Sequence, residues 1–98
     1  MKIYRKLPNG TELKICVDYN KGGAGTFVDK IARGYYLSIY PVTREFLDNG
    51  LVIEKATAMS GLKKLLFRVE RQSAKAYVAA VEDALKQIDE IIDNHFNS

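Results

Sequence analysis

Apolar and polar residues alternate along the first sixty positions of the chain. Over residues 11–19 the alternation is regular. Leu13, Ile15, Val17 and Tyr19 fall on one side and Glu12, Lys14, Cys16 and Asp18 on the other, the period-2 pattern of a half-buried strand. Ile3, Arg5 and Leu7 alternate with Tyr4 and Lys6 ahead of Pro8-Asn9-Gly10, a strong turn signal. Residues 34–42, rich in tyrosine and branched aliphatics, predict the strongest strand of the chain. Asp48-Asn49-Gly50 then turns into a fourth strand over residues 51–59. Residues 20–33, with Gly22, Gly23 and Gly25 close together, read as a loop or loose hairpin tip. Connections of hairpin type favour an antiparallel meander over parallel crossovers.

From residue 60 the period changes. Leu62, Leu66, Val69, Ala76, Tyr77, Ala80, Ala84, Ile88, Ile91 and Ile92 recur at the spacing of an amphipathic helix, with Ser60 as its expected N-cap. The expected architecture is a single α+β domain over residues 1–98. A four-stranded antiparallel β-meander (1–59) precedes one long or broken C-terminal α-helix (60–96), any break falling near Ser73. Read as a helix, this segment splits its charges by sign. Lys63, Lys64, Arg68, Arg71 and Lys75 come first, then Glu82, Asp83, Asp89, Glu90 and Asp93, the reverse of what the helix macrodipole prefers. The stripe Lys64, Arg68, Arg71 and Lys75 continues in phase into Glu82, Asp89 and Asp93. An antiparallel copy of the helix would match basic half to acidic half, so these residues are the expected self-association surface of a homodimer.

Composition narrows the classes. A chain of 98 residues with 47% hydrophobic and 28% charged residues suits one folded domain and argues against intrinsic disorder. A net charge of +3 and a pI near 9.0 permit anionic partners without requiring them. The lone Cys16 excludes an internal disulfide, and Met1-Lys2-Ile3-Tyr4-Arg5-Lys6 lacks the apolar run of a signal peptide, so a cytoplasmic location is expected. No stretch is long and apolar enough to span a bilayer, so no membrane partner is expected.

Chemistry-bearing motifs are sparse. Lys21-Gly22-Gly23-Ala24-Gly25-Thr26 invites comparison with a phosphate loop, but there the lysine and hydroxyl residue follow the last glycine and open a helix. Here the lysine comes first and a strand follows. His95 and Cys16 are each alone, so no metal site and no cofactor are expected. No carboxylate pair stands out as an acid–base couple. The sequence therefore reads as a binding protein and not an enzyme.

The sheet offers a binding surface. Tyr36, Ser38, Tyr40 and Val42 share one face of the third strand, Arg33 and Arg44 flank it, and Lys14 and Lys6 occupy neighbouring strands. Tyrosines among cations suit single-stranded nucleic acid, with bases stacking on Tyr36 and Tyr40 and phosphates held by Lys14, Arg33 and Arg44. Tyrosine also favours strands for packing reasons alone. Because Tyr35, Leu37 and Ile39 take the opposite face, one of the two sets must look outward unless the sheet is covered on both sides. The rival reading is a protein-interaction module that uses the charge-split helix without nucleic acid.

Two resemblances bear on these expectations. Tyr19-Asn20-Lys21-Gly22-Gly23, Arg33-Gly34-Tyr35-Tyr36-Leu37-Ser38 with Pro41-Val42, and Thr57-Ala58-Met59-Ser60-Gly61 before Lys63 and Lys64 resemble small uncharacterised proteins of mobile elements in gut bacteria. That likeness implies a context and no activity. The expected order of four antiparallel strands then a helix is similar to single-stranded DNA binders of the transcriptional-coactivator type. It implies dimers formed partly through helices and a curved basic sheet that binds DNA.

Overall fold

The computed structural model describes residues 1–24, 30–57 and 60–97. β1 (Lys2–Lys6) and β2 (Glu12–Asn20) form an antiparallel hairpin. Its turn depends on Gly10 at φ 92° and on Asn9, whose side chain accepts from the Thr11 amide at 3.0 Å. β3 (Gly23–Ala24) and β4 (Lys30–Ile31) pair as a small separate hairpin, so the expected loop carries short strands. The phosphate-loop-like run extends beyond the described residues at Gly25 and Thr26. β5 (Gly34–Phe46) lies along β2 from Gly34 to Val42. Its other edge is shared end to end by β6 (Val52–Ala56) and β7 (Leu62–Arg68), and α1 (Ala74–His95) closes the chain. The result is α+β, an antiparallel sheet ordered β1-β2-β5-β6 with β7 continuing the line of β6, plus one C-terminal helix. The fourth expected strand is present over Val52–Ala56, and residues 58 and 59 lie outside the described ones.

Residues 62–68 correct the sequence reading, because they form a strand and not the first turns of a helix. Leu62, Lys64 and Leu66 fit either period locally. The deciding term is non-local: without β7, Gly34 to Ile39 of β5 would leave a row of backbone groups unpaired. The helix therefore begins at Ala74 and is capped by Ser73, not Ser60. The Ser73 hydroxyl accepts from the Ala76 amide at 3.0 Å. Its 22 residues span about 33 Å at 1.5 Å per residue, well short of the length expected for one helix over 60–96. The reversed macrodipole order shrinks but persists, with Lys75 and no acid in the first turn and Asp89, Glu90 and Asp93 toward the helix end. Lys63, Lys64 and Arg68 belong to β7 and Arg71 to the turn, so of the five basic residues only Lys75 is helical.

The core lies between one sheet face and the helix. Leu13, Ile15 and Val17 of β2 and Tyr35, Leu37 and Ile39 of β5 pack with Ala80, Ala84, Ile88 and Ile92 of α1. The small side chains of Ala80 and Ala84 let the helix approach the sheet closely. A register shift between Tyr35 and Tyr36 leaves Leu66 unmatched on β7, and Leu66 and Phe67 both pack at the core margin. The bulge requires Gly34, since a Cβ there would lie 2.2 Å from the Phe67 carbonyl oxygen.

Candidate nucleic-acid interface

Among the described residues, no element covers the sheet face opposite α1. Cross-strand register assembles that face in rows. Tyr4, Lys14 and Tyr40 form one row, Lys2, Cys16, Ser38 and Lys63 the next, and Asp18, Tyr36 and Leu65 a third. Beyond them Arg44 stands opposite Glu54. The sequence-predicted Lys14, Tyr36, Tyr40 and Arg44 thus share one surface. Arg33 does not join them. It sits at the end of the sheet, where its Nε donates to the Lys21 carbonyl at 2.8 Å and its guanidinium meets Glu70 at 3.3 Å.

The charges on this face are organised around two carboxylates. Lys14 Nζ donates to Glu54 Oε1 at 2.7 Å and the Tyr4 hydroxyl donates to Glu54 Oε2 at 2.7 Å. Arg44 pairs with Glu12 at 2.9 Å. Hydrogen bonds from Lys14 and Tyr4 hold the Glu54 carboxyl below its ordinary range, and the same carboxylate raises the pKa of both donors. Burial pushes the Tyr40 hydroxyl up, beside the Cys16 thiol at 3.9 Å. Cys16 is itself buried, although it alternates with the polar residues of its strand. By strand parity, Lys2, Lys6, Lys14, Arg44, Lys63 and Arg68 stand on this face with Glu12, Asp18 and Glu54. Among the described strand residues, six cations against three carboxylates give it a positive balance, although Lys14 and Arg44 are already paired.

Cations also lie over the tyrosine rings. Lys63 Nζ is 4.9 Å from the Tyr36 ring centroid, and the Arg44 guanidinium is 4.8 Å from that of Tyr4, both within cation–π range. The Tyr36 hydroxyl donates to the Ala32 carbonyl at 2.7 Å, which fixes the ring. Where β6 ends and β7 begins, Ser38, Tyr40, Gly61, Leu62 and Lys63 line an open cleft of about 250 Å³. An apolar cavity of about 150 Å³ accepts benzene, so the cleft has room for one base-sized ring.

Sequence reasoning missed Tyr4 and Lys63. Tyr4 was legible in principle, because a tight Asn9-Gly10 hairpin sets it opposite Lys14. Lys63 was hidden by the helical reading of its segment.

The stripe expected to drive self-association is dispersed. Lys64 turns to the helix side of β7 and donates to Gln87, while Asp89 is tied to Arg5. Arg68 ends β7, Arg71 lies in the turn, Lys75 opens the helix, and Glu82 and Asp93 are exposed along it. They do not form one helical stripe. His95 is exposed in the last turn of the helix. Among the described residues no group of three or more His, Cys, Asp or Glu could hold a metal ion, and no helix is long and apolar enough to cross a membrane. No family model, curated protein or solved structure matches this chain.

Proposed function

We propose that the open sheet face binds single-stranded nucleic acid without catalysing a reaction. The observation that carries this reading is the position of Lys63 and Arg44 over the rings of Tyr36 and Tyr4. Each occupies the place a base takes when it stacks on an aromatic side chain. Both are long and flexible, so an arriving base displaces the cation from the ring and leaves it beside the strand, where it neutralises a phosphate. Tyr40 and its cleft add a third contact between these two. Lys14 contributes when its bond to Glu54 opens. Arg33 is left out of the phosphate-holding set because it lies off this face.

Fluorescence anisotropy with a labelled single-stranded oligonucleotide at low and moderate salt tests the proposal. Micromolar binding that weakens steeply with salt is expected. Stacking is worth about 1–3 kcal/mol per base by alanine substitution, so Tyr36→Ala should weaken binding about fivefold or more. Lys63→Ala should reduce the salt slope. Unchanged affinity in both variants, or no binding at low salt, would overturn the assignment.

A further inference from the structure

The sheet extends into a ribbon that the rest of the molecule does not cover. Pairing between β2 and β5 stops at Val42, yet β5 runs on to Phe46 and pairs there with β6 alone. All five residues of β6 are exposed. The ribbon carries the largest apolar exposure on the sheet, with Phe46 at 78%, Leu51 at 59%, Val52 at 49% and Ile53 at 42%. Bonds at Leu47 to Leu51 and at Thr57 to Pro41 fix the ladder alternation, so the amides and carbonyls of Val52, Glu54 and Ala56 point away from β5.

Such an edge is a template for another strand. The other edges of this sheet carry protection. β1 places Lys2, Arg5 and Lys6 along its length, and β7 carries Lys63, Lys64 and a bulge. β6 has neither proline nor bulge. Its ionised residues are satisfied within the chain, Lys55 by Glu45 at 3.0 Å and Glu54 by Lys14 at 2.7 Å. Neither ionised side chain of β6 is therefore left unpaired along that edge.

We infer that β6 pairs antiparallel with β6 of a second copy of this chain. Charge and the length of the paired segment together select the register. A two-fold axis at Glu54 would set that carboxylate against itself, and one at Lys55 would oppose two lysines, both unfavourable directly across strands. An axis at Ile53 opposes Ile53 to its copy, Val52 to Glu54 and Leu51 to Lys55. No like charges then meet. The axis is perpendicular to the sheet, so both open faces lie on the same side and the tyrosine-bearing surface doubles. Pairing along so short a ribbon falls below the roughly 800 Å² per partner of a stable interface, which makes the dimer concentration-dependent.

This inference stands apart from nucleic-acid binding and is tested without it. Sedimentation equilibrium of the full chain should show the 11.0 kDa monomer moving toward twice that mass between ten and several hundred micromolar. Ile53→Lys and Ile53→Glu should each remain monomeric over that range, with unchanged circular dichroism. Mixing the two should restore the dimer, because the axis sets Lys against Glu. Val78→Lys with Leu85→Lys, on the outer face of α1, should leave the wild-type dimer intact. A wild-type chain monomeric throughout, a mixture that fails to dimerise, or a dimer lost in the helix variant would overturn it.

Discussion

The chain has six tyrosines, and the sheet divides them between two environments. Tyr19, Tyr35 and Tyr77 lie on the helix side, and Tyr35 packs against both of the others. Tyr35 is 5.3 Å from Tyr19 edge to face and 6.3 Å from Tyr77. Their hydroxyls are committed to the segment that launches the helix and to the chain start. Tyr19 donates to the Glu70 carbonyl at 2.8 Å, Tyr35 to the Ser73 carbonyl at 3.3 Å, and Tyr77 accepts from the Met1 amine. Tyr4, Tyr36 and Tyr40 stand on the open side, with no ring of another described residue upon them and with lysine and arginine above two of them. One residue type thus serves two ends. Where the helix covers the sheet, tyrosine fills volume and ties down a connection; where it does not, the ring face is the surface the proposed function gives to a base.

Substitutions across this divide should separate stability from binding. The largest effect belongs to the covered side. Ile88→Ala removes a side chain only 1% exposed and should cost about 2–5 kcal/mol, whereas Ser38→Ala on the open face should shift stability by no more than about 0.5 kcal/mol. Urea denaturation measures both, and equal losses would erase the distinction. Gly34→Ala comes next. Its Cβ would drive the Phe67 carbonyl away and disturb the bulge, at about 1–3 kcal/mol by the same assay.

Binding should answer the other way round. Tyr35→Leu should lower the denaturation midpoint and leave the oligonucleotide affinity of the folded fraction unchanged, while Tyr36→Leu should do the opposite. Anisotropy and denaturation on the two variants check this, and a binding loss confined to Tyr35→Leu would contradict it.

The smallest effect concerns Glu54. Its folded pKa lies below the ordinary value of about 4.3. It therefore contributes stability above that ordinary value and loses it as pH falls through the depressed pKa. Protonation also releases Lys14, so acidification below about pH 4 should weaken the fold slightly and strengthen oligonucleotide binding. Glu54→Gln should reproduce the binding gain at neutral pH, by about threefold for one cation returned to the phosphates. Weaker binding in Glu54→Gln would mean that the carboxylate orders the face and does not mask it.

Much of this division was legible before the fold. The alternation in residues 11–19 set Leu13, Ile15 and Val17 apart from Lys14, and that in residues 34–42 set Leu37 and Ile39 apart from Tyr36 and Tyr40, because strand parity is a local property; which set of each strand meets the helix was decided by the pairing of the two strands. The segment Leu62–Arg68 was not legible. Its leucines and lysines suit a helix as well as a strand, and only the unpaired edge of β5, set by residues some thirty positions earlier, decides between them. The same error concealed Lys63 and created a charged stripe that the molecule does not have. Arg33 failed for a different reason. Flanking a strand in sequence does not fix which face its side chain takes.

The tyrosines also supply the most direct test of the central claim. Their ring protons can be followed by NMR in the folded full chain while a single-stranded oligonucleotide is added. Shifts in Tyr4, Tyr36 and Tyr40, with Tyr19, Tyr35 and Tyr77 unmoved, are the expected result. Shifts in the second set alone, or in none of the six, would contradict binding at the open face.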